Sequence, residues 1–281
     1  MAEYFKKNPS ASISKAAAEL KISSSSVFKI LRKHLELFPY KIQVHHHLTD
    51  PSIAQRYNFS GEILNKINSE GLDIKKIWFS DEAHFRLDGY VNKQNWRIWG
   101  RENPNICLAR PSYSRVTVWI AFCSSMIIEP VIFTETVTSK VYLKYLSNKF
   151  LPAAKEHKKI KNYYFMQDGA RPHRTRKVFN FLHRHFHDRV IALNFPKEKH
   201  CGMDWPPYSP DLNPCDYFLW GYIKDKVYSQ TPKTLDELVS NIENAFNDIS
   251  INALEGAIDN FLIRLRRIQT QRGEYIEQIV I

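Results

Sequence analysis

Two runs of β-branched and aromatic residues, 74–80 and 162–167, each close on an aspartate, Asp81 and Asp168. Such residues suit a pleated, half-buried surface. Carboxylates at the ends of neighbouring strands converge in one crevice. Residues 116–123, 130–134 and 190–195 read as further strands. Residues 85–99 read as a hairpin turning near Asp88-Gly89. Helices are expected over 139–155 and from Pro172 to about Phe186. Strands first in hairpins, then alternating with helices, predict an α/β fold: a mixed sheet with helices packed on its faces.

The C-terminal third is read as helical. Thr234-x-x-Glu237 is a capping box ahead of Leu235, Leu238, Ile242, Phe246 and Ile249 on one face. Asn252-x-x-Glu255 repeats the device before Ile258, Phe261, Leu262, Leu265 and Ile268. Arg264, Arg266, Arg267 and Arg272 are expected on the outer side of that last helix. Upstream, Asn213 suits an N-cap and Pro214 the first helical position, which puts Asp216 in the first turn. The helix dipole favours an ionised carboxylate there by ~0.3–1 kcal/mol. Asp88 and Asp211 read as turn or capping residues, with Glu82 and Asp204 as understudies to the three acids.

The first 50 residues have a different grammar. Ala16, Ala17 and Leu20 recur at helical spacing, Lys21-Ile22 breaks the helix, and Ser23 caps the next. Val27, Ile30 and Leu31 form the apolar stripe of that second helix. Ser24, Ser25, Lys29, Arg32 and Lys33 are left for other faces. Residues 3–7 supply a third short helix. The layout is that of a helix-turn-helix or of an ordinary helical hairpin. The expected division is 1–37 for this unit, 38–69 for a linker and helix, and 70–281 for the rest. Pro39, the three histidines at 45–47 and Pro51 interrupt any long helix in the linker. Adjacent histidines do not share a face, so they are read as polar linker rather than metal site.

Charge sharpens the choice of partner. The chain holds 40 Lys and Arg against 29 Asp and Glu, a net +11. That balance points towards nucleic acid. Cys107, Cys123, Cys201 and Cys215 form no C-x-x-C pair, which argues against a zinc ribbon or redox motif. The apolar stretch 116–133 is broken by Ser124, Ser125, Glu129 and Pro130, so it reads as strands and not as a membrane span. Three carboxylates on one crevice suit hard cations: two Mg²⁺ (or Mn²⁺) about 3.5–4 Å apart activate water or a 3′-hydroxyl and stabilise a leaving oxygen. Arg171, His173, Arg174, Arg176 and Lys177, between the second and third acids, would attract phosphates. A strand-end aspartate also serves as turn former or cap, and spacing alone does not separate the two roles.

Ser80-Asp81-Glu82-Ala83-His84-Phe85, Gln167-Asp168-Gly169-Ala170-Arg171-Pro172-His173 and segment 205–216 resemble three blocks of mariner-type transposases of the Tc/mariner superfamily. Gly89-Tyr90-Val91-Asn92-Lys93-Gln94-Asn95-Trp96, Asp216-Tyr217-Phe218-Leu219-Trp220-Gly221 and segment 266–276 extend the likeness to the insect-type members. The resemblance implies a ribonuclease-H-like core behind a helix-turn-helix unit. It also implies a metal-binding catalytic triad, which falls on Asp81, Asp168 and Asp216. Ser24, Ser25, Lys29, Arg32, Lys33, Arg171, His173 and Arg174 are the candidate DNA contacts. The implied partner is double-stranded DNA bearing terminal inverted repeats, handled by a homodimer in the nucleus, with no membrane or small-molecule substrate.

Two departures stand out. The family has two helix-turn-helix units and this chain has room for the second only, as expected of an N-terminally truncated copy or of a mispredicted start. The interval from Asp168 to Asp216 is also longer than in the best-known mariners, with the surplus expected in a loop over 194–204. A DNA transposase is the first reading. The alternative is a catalytically idle or domesticated DNA-binding protein derived from one. A general nuclease on the same fold would not need the helix-turn-helix.

Overall fold

The computed structural model describes residues 1–8, 11–35, 37, 48–87, 115–133 and 135–276. They divide into two compact units, Met1–His46 and His47–Ile281. The hairpin turn at Asp88-Gly89, the histidines at 45–47 and Cys107 lie outside the described residues.

In the first unit, α1 (Ala2–Lys7), α2 (Ile13–Leu20) and α3 (Ser24–Lys29) follow one another, and α3 runs on into a widened turn, Ile30–His34. Ser12 and Ser23 cap α2 and α3: their hydroxyls accept from Lys15 N–H at 3.1 Å and Ser26 N–H at 3.0 Å. Lys21 ends α2 in the left-handed region, at φ 53°, and turns the chain as expected. Ala16, Ala17, Val27 and Leu31 meet in the core, with Tyr4 and Phe5 packed against them.

The second unit opens with α4 (Asp50–Ser69). Pro51 starts this helix rather than interrupting it, because the first turn has no use for its missing N–H. The helix expected in the linker therefore belongs to the second unit. A six-stranded sheet follows: β1 (Ile77–Arg86), β2 (Arg115–Cys123), β3 (Met126–Ile127), β4 (Val131–Phe133), β5 (Tyr164–Met166) and β6 (Val190–Ile191). Its order is β3-β2-β1-β5-β6, with β4 paired to β2. β1 is antiparallel to β2 and parallel to β5, so the sheet is mixed as predicted.

Side chains alternate across β1. Phe79, Ala83 and Phe85 enter one core, shared with α4, α9 (Trp220–Ser229), α10 (Leu235–Asn247) and α11 (Ile251–Thr270). Trp78 enters the other, with α5 (Ser139–Tyr145), α6 (Leu151–Glu156) and α7 (Arg176–Phe186).

Several boundaries move from the sequence expectation. β1 does not stop at Ser80: pairing with β2 continues through Asp81 to Arg86. The 139–155 helix widens at Leu146–Phe150, just before Pro152. Pro172 lies in a 3₁₀ turn, Arg171–Arg174, and α7 starts after it. Segment 194–204 is not all loop, since Phe195–Lys199 forms a short helix, α8. Its end is pinned by Asp204, which accepts from Asn194 N–H at 2.6 Å. Ser250, not Asn252, caps α11, with its hydroxyl 3.2 Å from Ala253 N–H. Among the described residues no helix is long and apolar enough to cross a membrane.

One buried cation ties the ends of this unit together. Arg56 of α4 is fully buried. Its guanidinium donates to both Asp211 carboxylate oxygens at 2.7 and 2.6 Å, to Ser209 Oγ at 2.8 Å and to Gly273 C=O at 2.7 Å. Gly273 has φ +95°, and a Cβ there would lie 2.1 Å from Ile53 O, so only glycine fits. Arg264 is also buried, contrary to its expected outward position: it donates to Asp211 C=O at 2.8 Å and stacks over Tyr217 at 4.0 Å. Asp211 is thus an ion-pair partner and not a cap. Together these groups brace the segment that leads into Asp216.

Candidate active site

Asp81 and Asp168 reach the site by register. Phe79 of β1 pairs with Met166 of β5, and each aspartate lies two residues further on. β5 ends at Met166, so Asp81 lies within β1 and Asp168 in the segment that leaves β5 beside it. Asp81 is only 7% exposed. Its Oδ1 accepts from Glu82 N–H at 2.8 Å, and its Oδ2 accepts from Trp220 Nε1 at 2.9 Å and Asn213 Nδ2 at 3.2 Å.

Asp216 arrives from the helical side. Asn213 precedes Pro214 and accepts from Cys215 N–H at 3.2 Å, as a cap does. A widened helical turn, Cys215–Leu219, then leads into α9. The same Asn213 amide donates its second hydrogen to Asp216 Oδ2 at 3.1 Å. One buried amide therefore bridges Asp81 and Asp216. The 3₁₀ turn after Asp168 brings back His173, which is 1% exposed. Its Nδ1 lies 2.6 Å from Asp168 Oδ1, and its Nε2 lies 2.8 Å from Glu82 Oε1. Ala170 N–H also donates to Asp168 Oδ1, at 3.0 Å.

The electrostatics follow from this crowding. Burial pushes the Asp81 carboxyl well above the usual carboxylate range, and the charges of Asp216 and Asp168 add to it. Burial, with the charge of Asp168, pushes Asp216 up to about 7 against the opposing Asn213 hydrogen bond. Asp168 goes the other way: burial would raise it, but the His173 hydrogen bond and charge outweigh that and hold it low. Burial alone would deprotonate His173. The charge of Glu82 and hydrogen bonds to both carboxylates prevail and push it up to about 10.

Of the residues singled out in the sequence, Asp81, Asp168 and Asp216 come together. Arg171 is exposed and Arg174 half-buried. Both line a cavity of about 620 Å³ with Arg176 and Lys197. His173 is a correction. It is enclosed, with both ring nitrogens engaged, and does not offer itself to a phosphate. Ser24, Ser25, Lys29, Arg32 and Lys33 are all exposed on the first unit. The bridging role of Asn213 and the Trp220 contact have no signature in the chain, beyond the capping motif that precedes Asp216. Glu82 was an understudy, and its tie to His173 spans 91 positions.

The donor set fits hard divalent cations. It consists of carboxylate oxygens, and the repulsion that adds to burial in raising Asp81 is what a cation relieves.

Known proteins resemble this chain in sequence and fold. Residues 76–239 match the family model described as DDE superfamily endonuclease. The chain is 30% identical over 215 residues to the transposable element Tc3 transposase of Caenorhabditis elegans, an alignment covering 74% of this chain and 60% of that protein. It is 24% identical over 205 residues to the Tcb2 transposase of Caenorhabditis briggsae, covering 69% and 67%. Among solved structures, a pre-cleavage Mos1 transpososome superposes with a TM-score of 0.73 at 19% identity, covering 98% of this chain and 78% of that one. The Mos1 mariner paired end complex with Mg gives 0.68 at 19% identity, with the same coverage. The ribonuclease-H-like fold is common to them. With three acids gathered around β1, the middle strand of that sheet, and the family match spanning all three, the chain belongs to the DDE superfamily endonucleases, among relatives that are Tc- and mariner-type transposases.

Proposed function

We propose that the chain is a DNA transposase that binds terminal inverted repeats and cuts and joins phosphodiesters with Asp81, Asp168 and Asp216 as metal ligands. The observation that carries this reading is the Asn213 bridge. An amide 3.2 Å from Asp81 and 3.1 Å from Asp216 gathers acids from a strand and a helix that no local rule would unite. Related Mos1 complexes are described with Mg and with Mn, which supports divalent metal here. Two such ions, when bound, activate a water or 3′-hydroxyl and stabilise the leaving oxygen.

The chain's own groups prepare the site. Trp220 and Asn213 hold Asp81, and Ala170 and His173 hold Asp168. Arg171, Arg174, Arg176 and Lys197 outnumber Glu198 in the lining of a cavity suited to phosphate oxygens. Ser24, Ser25, Lys29, Arg32 and Lys33 would face the repeat DNA from the first unit. Work on paired ends implies a homodimer, and the substrate implies the nucleus.

The test is cleavage of DNA carrying the element's ends, with Mg²⁺ or Mn²⁺, by the chain and by Asp168→Asn. Metal-dependent nicking at the ends that the variant loses supports the reading. Binding without nicking by either protein overturns the catalytic part and leaves a DNA-binding relic.

A further inference from the structure

Consecutive residues of β1 send carboxylates to opposite faces, and the two are not equivalent. Asp81 meets Asn213 and Trp220, while Glu82 meets His173. Behind His173 the network is closed. Its ring lies 4.1 Å from that of Tyr142, tilted by 31°. Tyr142 O–H donates to Gln167 Oε1 at 3.0 Å, and Gln167 Nε2 donates to His173 C=O at 3.0 Å. Tyr142, Gln167 and His173 are all buried. The imidazole therefore has one position.

Ionised carboxylates only accept hydrogen bonds. One ring nitrogen lies 2.6 Å from one carboxylate and the other 2.8 Å from a second, so both are already engaged within the protein. Neither nitrogen is left facing a cation. Glu82, Asp168 and His173 present ligand atoms within 4.8 Å of one another, but that spacing is already filled by hydrogen bonds. Asp168 Oδ1 carries the contacts to His173 and Ala170. Its Oδ2 makes no hydrogen bond among the described residues.

We propose that His173, held from behind by Glu82, is a positioning residue that fixes Asp168 for metal ligation, and that neither His173 nor Glu82 is an ion ligand. The inference rests on the metal reading of Asp81, Asp168 and Asp216. Outer-shell partners of this kind set ligand orientation, and their loss costs roughly 10–100-fold in metal affinity.

The test uses the full chain and Mn²⁺ alone, by titration calorimetry, with Asp81→Asn, Glu82→Gln and His173→Gln. Beside it, ¹⁵N-histidine spectra of the wild type are recorded with and without saturating Mg²⁺, with His173 assigned from its variant. Asp81→Asn should abolish binding, and the other two should weaken it about 10–100-fold. The His173 ring nitrogens should show no coordination shift when Mg²⁺ binds. Wild-type affinity in Glu82→Gln overturns the inference while leaving the metal site standing. So does a His173 nitrogen that coordinates the ion. Absence of wild-type binding overturns the metal reading and this inference with it. Should His173→Gln fail to fold, Glu82→Gln keeps the side-chain shape, and its Mn²⁺ affinity decides the matter.

Discussion

The core of the first unit is Ala16, Ala17, Val27 and Leu31, whereas the second unit buries a large apolar cluster on each face of a sheet. The first also leaves Ile22, Phe28 and Leu37 exposed. Its hydroxyl caps act over three positions. The second unit encloses polar groups whose partners lie far away in sequence: Arg56 with Asp211, Glu82 with His173, Asp81 with Asn213. Local signals suffice to build a small helical unit that presents its polar residues outward. A catalytic crevice needs charges brought together against their repulsion, and only a large packed scaffold can hold them there.

The sharpest break in this comparison is chemical. Asp168→Asn should reduce metal-dependent cleavage about a thousandfold, because metal-based charge stabilisation is worth several kcal/mol at 1.36 kcal/mol per tenfold. Affinity for end DNA should be unchanged in a gel-shift titration. Retained cleavage would move the site elsewhere.

Next in size is Arg56→Met. It strands the Asp211 carboxylate in the interior, which costs about 3–5 kcal/mol. Denaturant unfolding should show that loss in the second unit, with the signals of the first unit unmoved.

Metal should act on the second unit alone. In the folded, metal-free chain Asp81 and Asp216 sit above the ordinary carboxylate range, Asp216 at about 7 against 3.8. The folded state thus holds protons that the unfolded chain has released. That stabilising contribution is full below pH 4 and is lost as pH rises towards about 7. Mg²⁺ at a hundredfold its dissociation constant should return about 2.7 kcal/mol. Thermal melts should show this gain at pH 8 and little of it at pH 5, where protons compete. An equal gain at both values would place the ion elsewhere.

Leu31→Ala should cost about 2 kcal/mol, the low end for a buried leucine. In a unit whose core is that of four small and medium side chains, this should unfold α2 and α3. End-DNA affinity should fall while the melting of the second unit stays put. The smallest effect belongs to Lys29→Ala, which should lower the salt dependence of DNA binding by about one phosphate contact without altering either fold.

How far the chain could be read without its fold differs between these regions. Ser12, Ser23 and Thr234 act as caps, and their signals are short and local. The strand pattern placed β2 and β5 closely, but β1 runs past Ser80 because Ser80 and His84 find partners on neighbouring strands and Glu82 finds one in His173. Ser80 donates to Met166 C=O at 2.8 Å, and His84 lies 2.9 Å from Thr117 Oγ1. Polar residues inside a strand look like its end until those partners are known. Arg264 looked like a surface cation for the same reason: Asp211 and Tyr217 lie far from it in sequence.

The sequence alone determined the order of most elements and the outward-facing polar set of the first unit, and it nominated the three acids. These rest on periodicity, capping chemistry and family resemblance, all of which travel along the chain. Tertiary structure decided which acids touch which groups. Asn213 became a bridge, His173 a buried tie instead of a phosphate contact, and Arg56 the brace behind Asp211. Those roles follow from burial and hydrogen-bond partnership, which arise when the sheet, its register and the two helical layers close around them.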